Sequence, residues 1–177
     1  MNVLLHSCCG PCASACVPRL KEGGHAVTMF FSNSNIDTRE EYEKRLDAAR
    51  KLAAAEGVEL VADAYDHSEW LREVAAGYED EPEKGRRCER CYRYNLARTA
   101  AYAAANGFEA FTTSLTVSPH KPSAKVFVAS EDPHFLKEDF KKREGFKLSV
   151  KRAAELGLYR QAYCGCEFSK RNVEERK

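Results

Sequence analysis

The sequence lacks any long uninterrupted run of apolar residues. A membrane-spanning helix needs about 18 or more such residues in succession, and none of the 177 residues belongs to a run of that length. The start, MNVLLHSCC, has a short apolar run and a cysteine, as a lipoprotein signal does, but no basic leader. We therefore interpret this run as a buried strand and expect a cytoplasmic protein that makes no membrane contact.

Internal repeats, low-complexity linkers and a glycine-rich phosphate loop are also missing from the sequence. Hydrophobic residues make up 44% of the chain and charged residues 31%, which excludes a disordered protein. A chain of 177 residues corresponds to one ordinary domain. We therefore expect a single domain over residues 1–177.

Positive charge is scarce in the first half of the chain and abundant in the second. Residues 1–83 hold 8 Lys and Arg against 16 Asp and Glu, a net charge of −8. Residues 84–177 hold 20 against 11, a net charge of +9. A basic half indicates an anionic partner on one side of the molecule, although pairing with the acidic half explains the asymmetry equally well.

Short apolar runs alternate with helical patterns along most of the chain. Strands are predicted at residues 2–6, 25–31, 58–61 and 110–114. Helices are predicted at residues 12–22, 38–57, from 66 and at 88–106, followed by a helical region over about residues 123–156. This alternation predicts a parallel α/β sheet flanked by helices. Right-handed crossovers then place the strand-to-helix loops at one edge of the sheet.

Cysteine is the most unusual residue type in this sequence. The eight cysteines are Cys8, Cys9, Cys12, Cys16, Cys88, Cys91, Cys164 and Cys166. In a cytosolic chain, clustered cysteines indicate metal or redox chemistry more often than structural disulfides. Cys16 is the exception, because it lies among the small and apolar residues 13–17 and is interpreted as a core residue.

Two of the cysteine clusters begin predicted helices. Cys8, Cys9 and Cys12 follow the first strand, where a helix N-terminus stabilises negative charge and lowers the pKa of a thiol. Cys88 and Cys91 are three residues apart, so both sulfurs lie on one side of a first helical turn. The adjacent thiols of Cys8 and Cys9 together with those of Cys88 and Cys91 are four, which would satisfy either a [4Fe–4S] cluster or one Zn²⁺.

The third cluster is Cys164-Gly165-Cys166. A pair of cysteines around one glycine can close a small disulfide ring, and a strained disulfide is oxidising and labile. The pair is therefore predicted to be either a redox-active disulfide or two ligands beside an open metal position.

Five segments of the chain, taken together, point to one family. They are LLHSCCGPCA at 4–13, SNIDTREEY at 34–42, RCERCYRYNLARTA at 87–100, FTTSLTVSPHK at 111–121 and LYRQAYCGCEFS at 158–169. In content and in order the sequence resembles the epoxyqueuosine reductases of the QueH type, which are the cobalamin-independent ones.

The resemblance implies a Rossmann-like fold of the HUP type and an iron–sulfur site. The [4Fe–4S] cluster ligands would be Cys8, Cys9, Cys88 and Cys91, with Cys12 near a second iron. Cys164 and Cys166 would be the redox pair or ligands of that second iron. We expect the helical part over residues 120–177 to close over this metal site.

The resemblance also implies the reaction, which is reduction of epoxyqueuosine in tRNA to queuosine. Removing the epoxide oxygen consumes two electrons and two protons, so an electron donor, not identified by the sequence, and a proton donor are needed. Tyr163 and His120 are the candidate proton donors. Ser114 and Ser118 are expected either to bind the substrate or to cap helices.

The basic second half suits a tRNA partner, because Lys and Arg contacts to phosphate supply affinity. The candidate phosphate contacts are Arg86, Arg87, Arg90, Arg93, Lys121, Lys125, Lys141, Lys142 and Arg143.

Three other functions fit parts of the pattern. A zinc-stabilised nucleic-acid-binding module without catalysis would use four thiols and a basic face. A metal-free thiol oxidoreductase would cycle Cys88 and Cys91 as a disulfide. An ATP-using member of the same fold group is the least favoured, because the first loop carries thiols in place of a glycine-rich phosphate cradle.

Overall fold

A four-stranded parallel sheet forms the centre of the computed structural model, which describes residues 1–175. The strands are β1 (Asn2–His6), β2 (Ala26–Phe31), β3 (Glu59–Ala62) and β4 (Ala110–Thr113), in the order β3-β2-β1-β4. This order is that of a Rossmann-like half-sheet, and it brings the carboxyl ends of all four strands to one edge. The prediction of a parallel α/β sheet flanked by helices is confirmed.

Helices connect and cover the strands. In chain order they are α1 (Gly10–Glu22), α2 (Arg39–Glu56), α3 (His67–Trp70), α4 (Arg86–Ala105), α5 (Ser123–Phe127), α6 (Gly145–Glu155) and α7 (Glu167–Glu175). A π-helical turn at Leu71–Ala75 follows α3, and a 3-10 turn at Ser114–Val117 follows β4. Among residues 1–175, no helix combines the length and apolar character needed to cross a membrane.

Both faces of the sheet are buried, which is why its inner strands, β1 and β2, are mostly apolar. Successive strand residues point to opposite faces, so Leu5 packs in one core cluster and Leu4 in the other. The first cluster contains residues of α1, α2 and α6, and the second contains residues of α4 and α5. A third, smaller cluster is centred on Trp70.

The ends of α2 follow the signals in the sequence. The Thr38 hydroxyl accepts a hydrogen bond from the Glu41 backbone N–H at 3.2 Å and caps the helix. Gly57 ends the helix in the left-handed conformation, with φ of 63°.

One predicted region differs from the structure. The helical region expected over residues 123–156 is two helices, α5 and α6, separated by a non-helical stretch. Within that stretch the Leu136 N–H donates to the Phe111 carbonyl at 2.8 Å, and the Phe111 N–H donates to the His134 carbonyl at 3.0 Å. The chain is extended here because it satisfies backbone groups of β4 that would otherwise be unpaired at the sheet edge.

Candidate metal centre

One cavity at the carboxyl edge of the sheet gathers six of the eight thiols. It has a volume of about 340 Å³. The loops after β1, β2 and β4 contribute to its wall, together with the start of α4 and the segment before α7. The thiols in the wall are those of Cys8, Cys9, Cys12, Cys88, Cys91 and Cys164.

The first thiol group lies at the N-terminus of α1. The sulfur atoms of Cys8, Cys9 and Cys12 all lie within 4.8 Å of one another. Cys9 is the N-cap residue, and its sulfur accepts a hydrogen bond from the Cys12 backbone N–H at 3.3 Å. A close approach of α1 to α2 places this helix start, because a Cβ atom on Gly10 would lie 2.8 Å from the Ala48 carbonyl oxygen.

Ser114, at the end of β4, holds the Cys8 side of this group. Its hydroxyl accepts a hydrogen bond from the Cys8 backbone N–H at 3.0 Å and donates to the Cys8 sulfur at 3.2 Å. From the sequence, Ser114 is expected either to bind the substrate or to cap a helix. In the structure it is hydrogen-bonded to Cys8 instead.

The thiols at the start of α1 differ in acidity. Hydrogen bonds with the Cys12 and Cys8 side chains hold the pKa of Cys9 well below its ordinary value. Hydrogen bonds with Cys8 and Cys9 raise the pKa of Cys12 well above its ordinary value. Cys9 therefore carries negative charge most readily, at a helix N-terminus that stabilises it.

The second thiol group lies on the first turn of α4. The Cys88 sulfur accepts a hydrogen bond from the Lys84 backbone N–H at 3.3 Å, and the Cys91 sulfur accepts one from the Asn95 amide at 3.7 Å. Burial raises the pKa of Cys88 and raises that of Cys91 well above the ordinary value.

Cys164 and Cys166 face different surroundings. Cys164 lies in the cavity wall, whereas Cys166 is buried beside Trp70, Val74 and Cys91. Burial raises the pKa of Cys166 to about 12. Both cysteines are free thiols, as are the other six.

The candidate proton donors also differ in their surroundings. Tyr163 lines the cavity, and its hydroxyl donates a hydrogen bond to the Asp37 carboxylate at 2.6 Å. Burial and this bond raise the pKa of Tyr163. His120 is exposed at the cavity, with its backbone N–H bonded to the Ser118 hydroxyl.

Cys16 occupies the hydrophobic core, as the sequence predicts. Its side chain is 0% exposed and packs with Leu5, Val17 and Met29. Burial raises its pKa well above the ordinary value, so it remains a neutral thiol.

Several polar side chains of the wall were not singled out in the sequence. Asn95 lies one helical turn after Cys91, so its spacing gave a signal that it shares the same face. Gln161 lies in the segment before Cys164, where no spacing marked it. Their amide oxygens are buried and have no hydrogen-bond partner among the described residues, which points to a ligand in the cavity.

Lys121 is the half-buried cation of this wall. Burial alone would lower its pKa, but the charges of Cys164 and Cys8 outweigh that effect and raise it well above the ordinary value. The sequence marked Lys121 only as a phosphate contact, and its place beside the thiols is decided by the fold.

Two of the predicted phosphate contacts are structural. Arg87 is 1% exposed, and its guanidinium donates to the carbonyl oxygens of Tyr78, Glu79 and Glu81. Arg90 donates to the carbonyl oxygens of Glu73 and Val74. The prediction that Arg87 contacts phosphate is wrong, because its guanidinium is buried and hydrogen-bonded to backbone carbonyls of the loop before α4.

The donor set of the cavity fits a thiophilic metal. Soft thiolate ligands select zinc, cuprous copper and iron–sulfur clusters over magnesium or calcium, and sulfur predominates here. The sulfurs come from residues 8–12, 88–91 and 164, so folding is required to bring them to one cavity.

The amino-acid sequence is similar to those of known proteins over nearly the whole chain. Residues 3–172 match the profile of the family described as "Epoxyqueuosine reductase QueH". The chain belongs to this family. The family and the enzyme class, an oxidoreductase, which the resemblance of the five sequence segments implied, are thereby confirmed.

Individual QueH relatives are similar to the chain over most of its length. The epoxyqueuosine reductase QueH of Dehalococcoides mccartyi is 35% identical over 175 residues, which cover 95% of this chain and 92% of the relative. The protein of the same name from Thermotoga maritima is 35% identical over 177 residues, covering 95% and 90%. That from Streptococcus pyogenes serotype M1 is 34% identical over 180 residues, covering 95% and 70%.

Proposed function

We propose that this protein reduces epoxyqueuosine in tRNA to queuosine. The observation that carries the proposal is the cavity itself, where six thiols from three separate segments meet in a chain of the QueH family. In the reaction both carbon–oxygen bonds of the epoxide break and a carbon–carbon double bond forms. The oxygen leaves as water with two protons, and an external one-electron reductant supplies the two electrons in successive steps.

The thiols divide into ligands for two groups. Cys8, Cys9, Cys88 and Cys91 would hold a [4Fe–4S] cluster, and Cys12 would lie at a second iron. When bound, the cluster supplies electrons one at a time and an iron with an open position supplies Lewis acidity. The three clustered sulfurs at the start of α1 and the lowered pKa of Cys9 support metal binding by the first group, and Cys88 and Cys91 are included because they line the same cavity.

Cys164 and Cys166 keep two roles in the proposal. They are either a redox-active disulfide pair or ligands of the second iron. The cavity-facing position of Cys164 suits both roles. The burial of Cys166 beside Cys91 keeps a reduced Cys166 protonated. Its thiol would therefore lose the proton only on reacting or on binding metal.

Lys121 is the proton donor that the geometry favours. Its side chain lines the cavity wall, and the charges of Cys164 and Cys8 keep it protonated, so it would give a proton to the strongly basic oxygen of an opening epoxide. Tyr163 directs its hydroxyl hydrogen at Asp37, which favours a role in orienting the loop before Cys164. The unpartnered amide oxygens of Asn95 and Gln161 are acceptors for donor groups of the modified base.

The C-terminal region and the basic surface complete the proposal. Residues 120–177 would close over the site, which is supported by residues 160–164 in the cavity wall; residues 176 and 177 lie outside the described part. The anticodon-loop base would be unstacked and read in this cavity. Exposed basic side chains, including Arg86, Arg93, Lys142 and Arg143, would contact tRNA phosphates. From a tRNA-modifying role we infer a cytoplasmic protein.

Anaerobic turnover tests the proposal directly. Protein reconstituted with iron and sulfide is incubated with epoxyqueuosine-containing tRNA and dithionite, and the digested tRNA is analysed by mass spectrometry. We expect queuosine to replace epoxyqueuosine, with Cys9→Ser protein as the inactive control. Unchanged epoxyqueuosine in the presence of a verified iron–sulfur chromophore would contradict the proposal.

Metal analysis of the same protein separates the alternatives. The close sulfurs of Cys8, Cys9 and Cys12 also suit a single zinc ion. A brown protein with bound iron and sulfide supports the reductase. A colourless zinc protein supports a nucleic-acid-binding module, and active protein without metal supports a thiol oxidoreductase.

A further inference from the structure

Arg45 connects α2 to the segment that carries the third cysteine cluster. Its side chain is 1% exposed and lies outside the cavity wall. One terminal nitrogen donates to the Cys164 carbonyl at 2.7 Å, and the other donates to the Tyr163 carbonyl at 3.1 Å. A single guanidinium therefore bridges two successive carbonyl groups of the chain as it enters the Cys164-Gly165-Cys166 loop.

Glu41 balances the charge of Arg45. Its carboxylate accepts a hydrogen bond from the Arg45 Nε at 2.8 Å, within the same helix. The Tyr159 hydroxyl donates to the same carboxylate. Because the cation is paired, its effect on the loop is geometric: a planar fork with fixed donor directions holds two acceptors at once.

Asp37 holds the other side of the loop. Its backbone N–H donates to the Gly165 carbonyl at 2.8 Å, and its carboxylate accepts from the Tyr163 hydroxyl. Three successive carbonyl groups, those of residues 163, 164 and 165, are thus bonded to α2 or to the residue just before its cap.

Gly165 shows how closely the loop fits against Arg45. Its φ is 145°, a conformation that side-chain-bearing residues rarely adopt. A Cβ atom there would lie 2.9 Å from the Asn35 amide nitrogen and 3.3 Å from an Arg45 terminal nitrogen. The loop is seated against these groups with no room for a side chain.

We propose that Arg45 is a positioning residue that fixes the Cys164-Gly165-Cys166 loop, so that Cys164 faces the cavity while Cys166 stays buried beside Trp70. This inference rests on the proposed function for its effect on turnover, but the placement of the two thiols can be measured without it. Displacement of a reacting group lowers the rate of a reaction, so we expect turnover to depend on holding the Cys164 thiol in the cavity wall.

Thiol labelling tests the placement without any metal. Reduced, metal-free wild type and Arg45→Lys are treated with iodoacetamide, and the tryptic peptide of residues 161–170 reports both cysteines by fragmentation. Lysine keeps the charge beside Glu41 but cannot bridge two carbonyls. We expect the labelling rate of Cys166 to rise severalfold in the variant, with Cys16 of the core as the unreactive internal reference.

Arg98→Lys is the matched control. Arg98, on α4, also forms a two-point hydrogen bond with a carboxylate, that of Asp63, and its other charged and aromatic partners are Glu69 and Tyr94 rather than loop residues. We expect this variant to label Cys166 at the wild-type rate. Equal labelling of Cys166 in wild type and Arg45→Lys, or an equal increase in Arg98→Lys, would overturn the proposal.

Turnover and a second substitution complete the test. We expect Arg45→Lys to lower kcat on epoxyqueuosine-containing tRNA by about 10²-fold while KM stays near the wild-type value. Gly165→Ala should reproduce the labelling change, because the added Cβ atom would press against Asn35 and Arg45 and displace the loop. If wild type itself does not turn over, the proposed function fails while the labelling result still decides the role of Arg45.

Discussion

At the scale of single residues, one turn of α1 separates a cavity thiol from a core thiol. Cys12 lies in the cavity wall, and Cys16, four residues later, is buried with its sulfur donating to the Cys12 carbonyl. Position relative to the helix start decides their chemistry, since only the first turn offers free backbone N–H groups and a favourable dipole.

Substitution of Cys9 and of Cys16 should therefore have opposite effects on metal content and stability. We expect Cys9→Ser to lose most of the reconstituted iron while its free energy of unfolding without metal changes little. Cys16→Ala should retain the iron and lose about 1 kcal/mol of stability through the core cavity it creates. Iron and sulfide analysis with urea denaturation measures both, and iron loss in Cys16→Ala would contradict the assignment.

Lys121 carries the second residue-scale prediction. Loss of a general acid lowers turnover by about 10²- to 10⁴-fold, and we expect Lys121→Met to fall in that range. Lys137→Met is the control, because Lys137 is exposed and lies outside the thiol cavity. Single-turnover measurements on modified tRNA give the comparison, and wild-type turnover by Lys121→Met would exclude Lys121 as the donor.

At the scale of elements, polar side chains tie the helices to the ends of the strands. Asp63, just after β3, accepts two hydrogen bonds from Arg98 of α4 at 2.6 and 3.0 Å and a third from Ser32 after β2. Burial alone would raise the pKa of Asp63, but the bonds from Arg98 and Ser32 outweigh it and lower the pKa.

The lowered pKa of Asp63 predicts how stability changes in acid. Its contribution is complete above the ordinary aspartate pKa of about 3.9 and is lost as the pH falls through the lower folded-state value. Asp63→Asn should remove about 1 kcal/mol at pH 7 and flatten the decline in that acid range, because the pair is partly exposed. Urea denaturation of metal-free protein from pH 7 to pH 3 checks this, and parallel curves for the two proteins would refute it.

At the scale of the whole molecule, some basic side chains of the second half of the chain bind groups within the protein, and others are exposed to solvent. Arg87 and Arg90 hold backbone carbonyls, and Lys125 pairs with Glu89 at 2.7 Å. Arg86 and Arg93 of the same helix are exposed. Only the exposed cations are free to replace counterions on an RNA backbone.

Salt dependence of tRNA binding follows from this division. We expect affinity to fall steeply with salt, and the double variant Arg86→Gln/Arg93→Gln to reduce the slope of log Kobs against log[salt] by about 2. Lys51→Gln, an exposed change in the acidic half, should leave the slope unchanged. Filter binding over a salt series measures it, and a slope near zero for wild type would argue against a basic RNA face.

Much of the fold and site was predictable because its signals are local. The alternation of apolar runs, the cap at Thr38, the stop at Gly57 and the spacing of Cys88 and Cys91 are short-range patterns with direct physical meaning. The region after α5 was mispredicted because its extended backbone is set by hydrogen bonds to a distant strand.

The sequence by itself determined the parallel sheet and the clustering of the thiols, because both follow from residue type and spacing, and it carried the five segments by which the family is recognised. Only the tertiary structure decided that Arg87 is buried, that Cys166 lies under Trp70 and that Arg45 holds a carbonyl 119 residues away. Contacts across such distances depend on how the elements pack, and no local pattern encodes the direction in which a side chain will find its partner.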